Sequence, residues 1–208
     1  MKFSIVMASR LDNYPSAATG RDGKLLRAVN SVISQTFQDW ELHVVADGCQ
    51  KTIDIIQINV ADLRIHLWKV THKKLWSGTP RNMGIDQAKG EFIIYLDNDD
   101  VWGPDHLAII SRELNGYDWV WFNDIRFRPK LNRWYENECD INQLGRHGTS
   151  NICHKRSLGV HWDENGKYAH DYYFTRKLIP FSNYKKITTP EYFVCHIPGT
   201  RASGGYDL

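Results

Sequence analysis

The stretch EFIIYLDNDD, Glu91 to Asp100, decides the fold. Phe92 to Leu96 is an unbroken apolar run, the mark of a central strand covered on both faces, since a half-exposed strand would alternate apolar and polar residues. The run stops abruptly at Asp97-Asn98-Asp99-Asp100. Acids and an amide therefore cap a buried strand.

Elements of two periodicities alternate outward from this strand. Toward the N-terminus, Thr79-Pro80 is a helix start, because Thr can cap free N–H groups and Pro tolerates the first helical position. That helix is expected to run to Lys89 and stop at Gly90. Lys2 to Ala8 (KFSIVMA) reads as a buried strand. Lys24 to Phe37 places Leu25, Leu26, Val29, Val32, Ile33 and Phe37 on one helical stripe. Glu41 to Ala46 is a second strand ending at Asp47-Gly48, followed by a helix around Thr52 to Val60 and a weaker strand from Arg64 to Val70. Toward the C-terminus, a helix from Pro104 to Leu114 turns Leu107, Ile110 and Leu114 inward, and Tyr117 to Phe122 supplies another strand. Beyond Phe122 the pattern loosens: Asn123 to Gly148 is polar, Asp171 to Leu178 reads as a short helix, Tyr192 to His196 as a last strand, and Gly199 to Leu208 as a flap or frayed end. The expectation is an α/β, doubly wound, mainly parallel sheet with helices on both faces.

Composition narrows the partners. The 208 residues suit one domain, and 26 Lys+Arg against 24 Asp+Glu leave +2, far from the basic excess a nucleic-acid surface uses. No run approaches the ~20 apolar residues of a membrane span. Cys49, Cys139, Cys153 and Cys195 have no C-x-x-C or framework spacing and read as reduced thiols. A soluble, cytoplasmic protein is expected. Among the tryptophans, Trp119 and Trp121 alternate in a strand and suit packing, while Trp76 and Trp102 lie near polar strand ends and suit either packing or contact with a ligand ring.

In open parallel sheets ligands sit beyond the carboxyl ends of the strands. Ser9-Arg10, Asp47 and Asp97 to Asp100 occupy such ends and describe one rim. Asp97 and Asp99, two positions apart, repel one another unless a cation or donor lies between them. Hard oxygen ligands of this kind suit Mg²⁺ or Mn²⁺, with open positions for substrate phosphates.

Read together, SIVMASR (Ser4 to Arg10), LLRAVNSVISQTFQDWELHVVADG (Leu25 to Gly48) and RNMGIDQAKGEFIIYLDNDD (Arg81 to Asp100) resemble the nucleotide-sugar-binding half of family 2 glycosyltransferases of the GT-A fold. The resemblance covers residues 1–115 well and 116–208, the expected acceptor half, thinly. It implies a single catalytic domain over 1–208 and inverting transfer from a nucleoside-diphosphate sugar, a UDP-sugar, to a glycan or glycoprotein acceptor, with Mn²⁺ or Mg²⁺ as cofactor. Position by position, it implies that Asp47 meets the base, that Asp99 is a direct metal ligand, that Asp97 contacts metal or ribose, and that Arg81 and Asn82 lie near the ribose and diphosphate. Ser9, Arg10 and Asn98 join the expected donor contacts. Ala46 stands where many members have a first Asp, and Arg10 where an aromatic residue often precedes Asn.

In the second half, His170-Asp171 is similar to the family's acidic pair whose last carboxylate is the catalytic base, with His170 in place of the usual acid. Asp171 is the expected base, able to take the proton of an attacking hydroxyl; its bland alternative is a helix-capping acid. His196, in CHIPGTR, falls where members often place a His near the metal, and Arg201 is an expected pyrophosphate contact from the flap. His147 to Asn151 (HGTSN) is an acceptor-side loop or a plain polar turn. Two other functions fit less of the chain. An inert nucleotide-sugar-binding module shares the fold. A haloacid dehalogenase-type phosphatase shares the D-x-D-x-[TV] pattern of Asp97 to Val101, but that motif closes the first strand of its domain and here it closes the fourth. The chain is also compatible with being part of a longer, multidomain polypeptide.

Overall fold

The computed structural model describes residues 2–12, 20–72, 78–128, 131–165, 169–181, 183–189 and 191–195. Trp76, His196, Arg201 and the glycine-rich tail lie outside these residues. The elements are β1 (Phe3–Ser9), α1 (Arg21–Ile33), β2 (Trp40–Asp47), α2 (Gln50–Asn59), β3 (Ile65–Val70), α3 (Gly78–Gln87), β4 (Phe92–Tyr95), β5 (Val101–Trp102), α4 (His106–Glu113), β6 (Trp119–Phe122), β7 (Asp124–Arg128), β8 (Arg133–Asn137), β9 (Ile152–Lys155), α5 (His170–Leu178), β10 (Tyr184–Ile187) and β11 (Tyr192–Val194).

Seven strands form the main sheet in the order β10-β6-β9-β4-β1-β2-β3. All neighbours are parallel except β9, which runs antiparallel between β4 and β6. The apolar run of β4 is central, as its composition requires. Phe92, Ile94 and Leu96 face one cluster with Phe3, Ile5, Met7 and the inner stripes of α1 and α4, namely Leu25, Val29, Val32, Leu107 and Ile110. Ile93 and Tyr95 face the other with Val6, Ile85 of α3, Trp162, and Phe174 and Leu178 of α5. Truncating Ile94, fully buried between layers, is expected to cost about 2–5 kcal/mol.

A second sheet, β5-β11-β7-β8, stands beyond the tip of β4. The sequence gives no periodic signal for β7 and β8, because most of their residues are only half-buried and Arg126, Arg128, Arg133 and Glu136 interrupt any apolar run. Buried Asp124 explains part of their order: it receives Nε and Nη2 of Arg126 at 2.6 and 3.0 Å and Nδ2 of Asn151 at 3.3 Å, tying β7 to the turn before β9. The helix expected from Thr79 begins one residue earlier, at Gly78, and ends at Gln87. Tyr192 to Val194 is a strand, but it belongs to the second sheet.

Candidate functional site

The carboxyl ends of β1, β2, β3 and β4 converge, and their side chains form two connected corners. At the tip of β4, Asp97 keeps a side chain 41% exposed and faces Arg81 of α3, whose Nη2 lies 3.4 Å from Oδ1. Desolvation pushes the Asp97 carboxyl above its ordinary value; Arg81 pulls it down and Asp99 pushes it up, with open solvent access moderating the shift. Arg81 is only 7% exposed. Its guanidinium lies 4.9 Å from the centre of the Trp162 ring, and Asn82 fixes that loop by donating Nδ2 to the Trp162 carbonyl at 3.0 Å and accepting its N–H at 2.8 Å. The expected Arg81-Asn82 pair therefore divides its labour: Arg81 faces the acids, and Asn82 holds Trp162 beneath it.

The acids after β4 do not all face outward. Asp100 is 3% exposed, accepts the Tyr192 hydroxyl and takes the Cys195 N–H at 2.7 Å. Burial, with Asp99 and Asp97 nearby, pushes its carboxyl well above the usual range. It anchors β11 through Tyr192 and the adjoining Cys195. Asn98 is also buried and donates to Ser9 Oγ at 3.0 Å, which in turn pairs with Thr52 Oγ1 at 3.0 Å at the start of α2. Ser9 and Asn98 thus spend their side chains on joining β1, β4 and α2. Asp97 and Asp99 are both half-exposed. Two adjacent carboxylates, one with its affinity for protons raised by the other, suit a hard divalent cation whose remaining positions are filled by phosphate oxygens and water. Among the described residues no group of three or more His, Cys, Asp or Glu side chains is poised to hold a metal alone.

The second corner joins β1, β2 and β3. Asp47 Oδ2 lies 2.9 Å from Nδ1 of His72, and Nε2 of His72 meets Arg10 Nη1. An arginine only donates, so Nε2 must accept; Nδ1 therefore carries the proton and donates to Asp47. Arg10 in turn donates Nε to Asp12 at 3.1 Å. Gly48 makes the approach possible: its φ of +64° places it in the left-handed region, and a Cβ there would stand 2.6 Å from His72 Cβ. His72 is a functional candidate that sequence reasoning missed, since a lone His after a weak strand carries no spacing signal.

Asp171 opens α5 with its Oδ1 accepting the Tyr172 N–H at 2.8 Å. Beside it, His170 Nε2 lies 3.2 Å from Thr149 Oγ1 and its ring 5.7 Å from that of Trp162. Burial, with a contribution from Arg81, lowers the His170 pKa to about 3, so the imidazole stays neutral. The HGTSN segment is buried, with a 3₁₀ turn over Thr149–Asn151 packed under α5. Trp102, a possible sugar-facing residue by sequence, is 3% exposed and stacks on His106 at 4.6 Å inside the core.

A family model described as Glycosyl transferase family 2 matches residues 18–184. The chain belongs to glycosyl transferase family 2. Curated relatives of this family 2 chain include the putative colanic acid biosynthesis glycosyl transferase WcaA of Escherichia coli K12, 30% identical over 104 residues, covering 48% of this chain and 37% of WcaA. The UDP-Glc:alpha-D-GlcNAc-diphosphoundecaprenol beta-1,3-glucosyltransferase WfgD of E. coli is 35% identical over 75 residues, 36% of this chain and 29% of WfgD. The family 2 chain thus spans about a third of the length of these relatives. Among solved structures, S. aureus TarS 1-349 in complex with UDP-GlcNAc superimposes with a TM-score of 0.76 at 19% identity, covering 100% of this chain and 62% of TarS 1-349. That likeness is one of fold, the GT-A fold. The free, buried thiols of all four cysteines fit the absence of disulfide spacing, and among the described residues no helix is long and apolar enough to cross a membrane.

Proposed function

We propose that this chain transfers a sugar from a nucleoside-diphosphate sugar, a UDP-sugar, to a hydroxyl of a glycan or glycoprotein, inverting the anomeric configuration. The observation that carries this reading is Arg81. It reaches Asp97 at the tip of β4 on one side and lies over Trp162, beside His170, on the other, which supports a shared site for the acids of the first half and for Asp171, the neighbour of His170. The UDP-GlcNAc complex of TarS and the donor in the WfgD name support a uridine nucleotide.

In this reading Asp47 accepts from the base, with His72 and Arg10 holding it in place, and Ser9 and Asn98 brace the rim from beneath. Arg81 donates to the donor's diphosphate or ribose and keeps Asp97 oriented. Asp97 and Asp99, with His196 as a further ligand, would hold Mn²⁺ or Mg²⁺, which when bound neutralises charge on the departing diphosphate as a Lewis acid. Arg201 adds a charge-assisted contact to the same diphosphate. Asp171 takes the proton of the acceptor hydroxyl as its oxygen forms the new bond to the anomeric carbon; the bond to the diphosphate breaks, and its electron pair leaves with the nucleoside diphosphate. One in-line step needs no covalent intermediate. Burial of four free thiols supports a reducing, cytoplasmic setting.

Asp171→Asn tests the assignment. Donor affinity is expected to stay near wild type while transfer falls by roughly 10²- to 10⁴-fold, the usual contribution of a general base. Unchanged transfer removes Asp171 from the mechanism. Failure of every acceptor to yield product with the wild-type chain, despite donor binding, favours an inert nucleotide-sugar-binding module.

A further inference from the structure

Away from the Arg81 cleft, an opening of ≈ 330 Å³ lies between β6, β10 and residues 138–146, lined by Trp121, Glu138, Asp140, Gln143, Arg146 and Lys186. Its volume is at the lower end for ligand sites, room for a small ring compound. Trp121 is held as part of an aromatic group, its ring 5.7 Å from Trp119 and 5.6 Å from Tyr184. The Trp121 side chain is half-buried, so its ring forms an aromatic wall of the opening.

The opposite wall is preshaped. Asp140 accepts the Asn142 N–H and Gln143 Nε2, each at 2.8 Å, and its own N–H donates to the Arg146 carbonyl at 3.1 Å. Lys186 Nζ lies 3.2 Å from Glu138 Oε1. The wall is tied to the proposed active centre as well, because Arg176 Nη2 donates to the Ile141 carbonyl. Arg176 sits on α5 five positions after Asp171, about 7 Å along the helix axis.

The charges balance: Glu138 and Asp140 face Arg146 and Lys186. An anionic ligand would meet the two carboxylates and a cationic one the two cations, each without net compensation. An uncharged ring rich in hydroxyls suits the set, since each hydroxyl both donates and accepts, and carboxylates, cations and a carboxamide supply complements around the aromatic wall of Trp121. We propose that this cleft is a saccharide subsite that holds an uncharged sugar unit of the acceptor, away from the hydroxyl that reacts. The proposal rests on the transferase reading above and extends it to acceptor recognition.

Neutral oligosaccharides of two to four units, hexose and N-acetylhexosamine, are titrated into the chain by ligand-observed NMR, with UDP and Mn²⁺ titrated separately. Wild type is expected to bind at least one neutral oligosaccharide. Trp121→Ala, which removes the aromatic wall, and Arg146→Ala, on the exposed wall, are each expected to weaken that binding about five-fold or more and to leave UDP affinity unaltered. Arg146→Ala keeps the test valid if Trp121→Ala does not fold. No saccharide binding by a wild-type chain that binds UDP overturns the subsite and leaves the transferase reading standing. Preference for acidic glycans, or equal affinity in wild type and both variants, also overturns it. Saccharide binding lost in the variants, in a chain that never binds UDP, supports the subsite and removes the donor reading instead.

Discussion

Arg81 holds one guanidinium nitrogen 3.4 Å from Asp97 while its guanidinium carbon lies over the Trp162 ring, 4.9 Å from its centre, so a single side chain joins the two halves of the molecule. Replacing it by Lys keeps the charge but loses the planar fork and alters the cation–π contact. Arg81→Lys is expected to weaken UDP-sugar binding about ten-fold, roughly 1.4 kcal/mol. Isothermal titration of the variant checks this, and wild-type affinity would show that Arg81 serves packing alone.

The Asp47–His72 contact gives a second expectation. His72→Ala frees the Asp47 carboxylate from its donor and releases Arg10 from the His72 ring. Nucleotide affinity is expected to fall several-fold, about 1 kcal/mol for one lost hydrogen bond, with little change in Tm because His72 is partly exposed. Gly48→Ala acts on the same contact through the backbone. A left-handed φ costs a non-glycine residue roughly 1–2 kcal/mol, and the new Cβ would press on His72. Thermal melts of this variant are expected to drop by about 2–8 °C, at roughly 2–4 °C per kcal/mol for a chain of this size.

Acid sensitivity follows from buried histidines. Burial lowers the pKa of His106 to about 3 and of His154 to about 4, and burial with Arg81 lowers His170 to about 3, against 6.5 for the free side chain. The unfolded chain therefore takes up protons below pH 6.5 that the folded chain refuses. Stability is full above about pH 6.5 and falls as pH drops toward 3–4, by up to about 1.4 kcal/mol per pH unit for each such His. His106 stacks on Trp102 and meets the edge of Phe122 at 5.0 Å. His106→Phe is expected to reduce the slope of denaturation free energy against pH by about one proton between pH 6 and 4. An unchanged slope would contradict the assignment.

Much of the first half is legible because its chemistry is local. The run Phe92 to Leu96 must be doubly covered, and Ile93 and Tyr95 do face one helix layer while Phe92 and Ile94 face the other. The stripes on α1 and α4 likewise name the residues that pack. What escapes is set by contacts distant in sequence. β9 enters the sheet antiparallel, 57 positions after β4, with no pattern in Ile152 to Lys155 that fixes its direction; its pairing of Ile94 with Cys153 is a tertiary outcome. Asp100 reads as a fourth rim acid, yet Tyr192 and Cys195 draw it inward. His72 is invisible until Gly48 brings its strand end against Asp47.

In the proposed reaction Asp97 and Asp99 hold a cation that completes the donor site. Calorimetric titration of a UDP-sugar into wild type, Asp97→Asn and Asp99→Asn, each with and without Mn²⁺, addresses it directly. Wild type is expected to gain about ten-fold or more in affinity on adding Mn²⁺, roughly 1.4 kcal/mol, and both variants to lose that gain. Equal wild-type affinity with and without the cation, or a gain that persists in both variants, would contradict it.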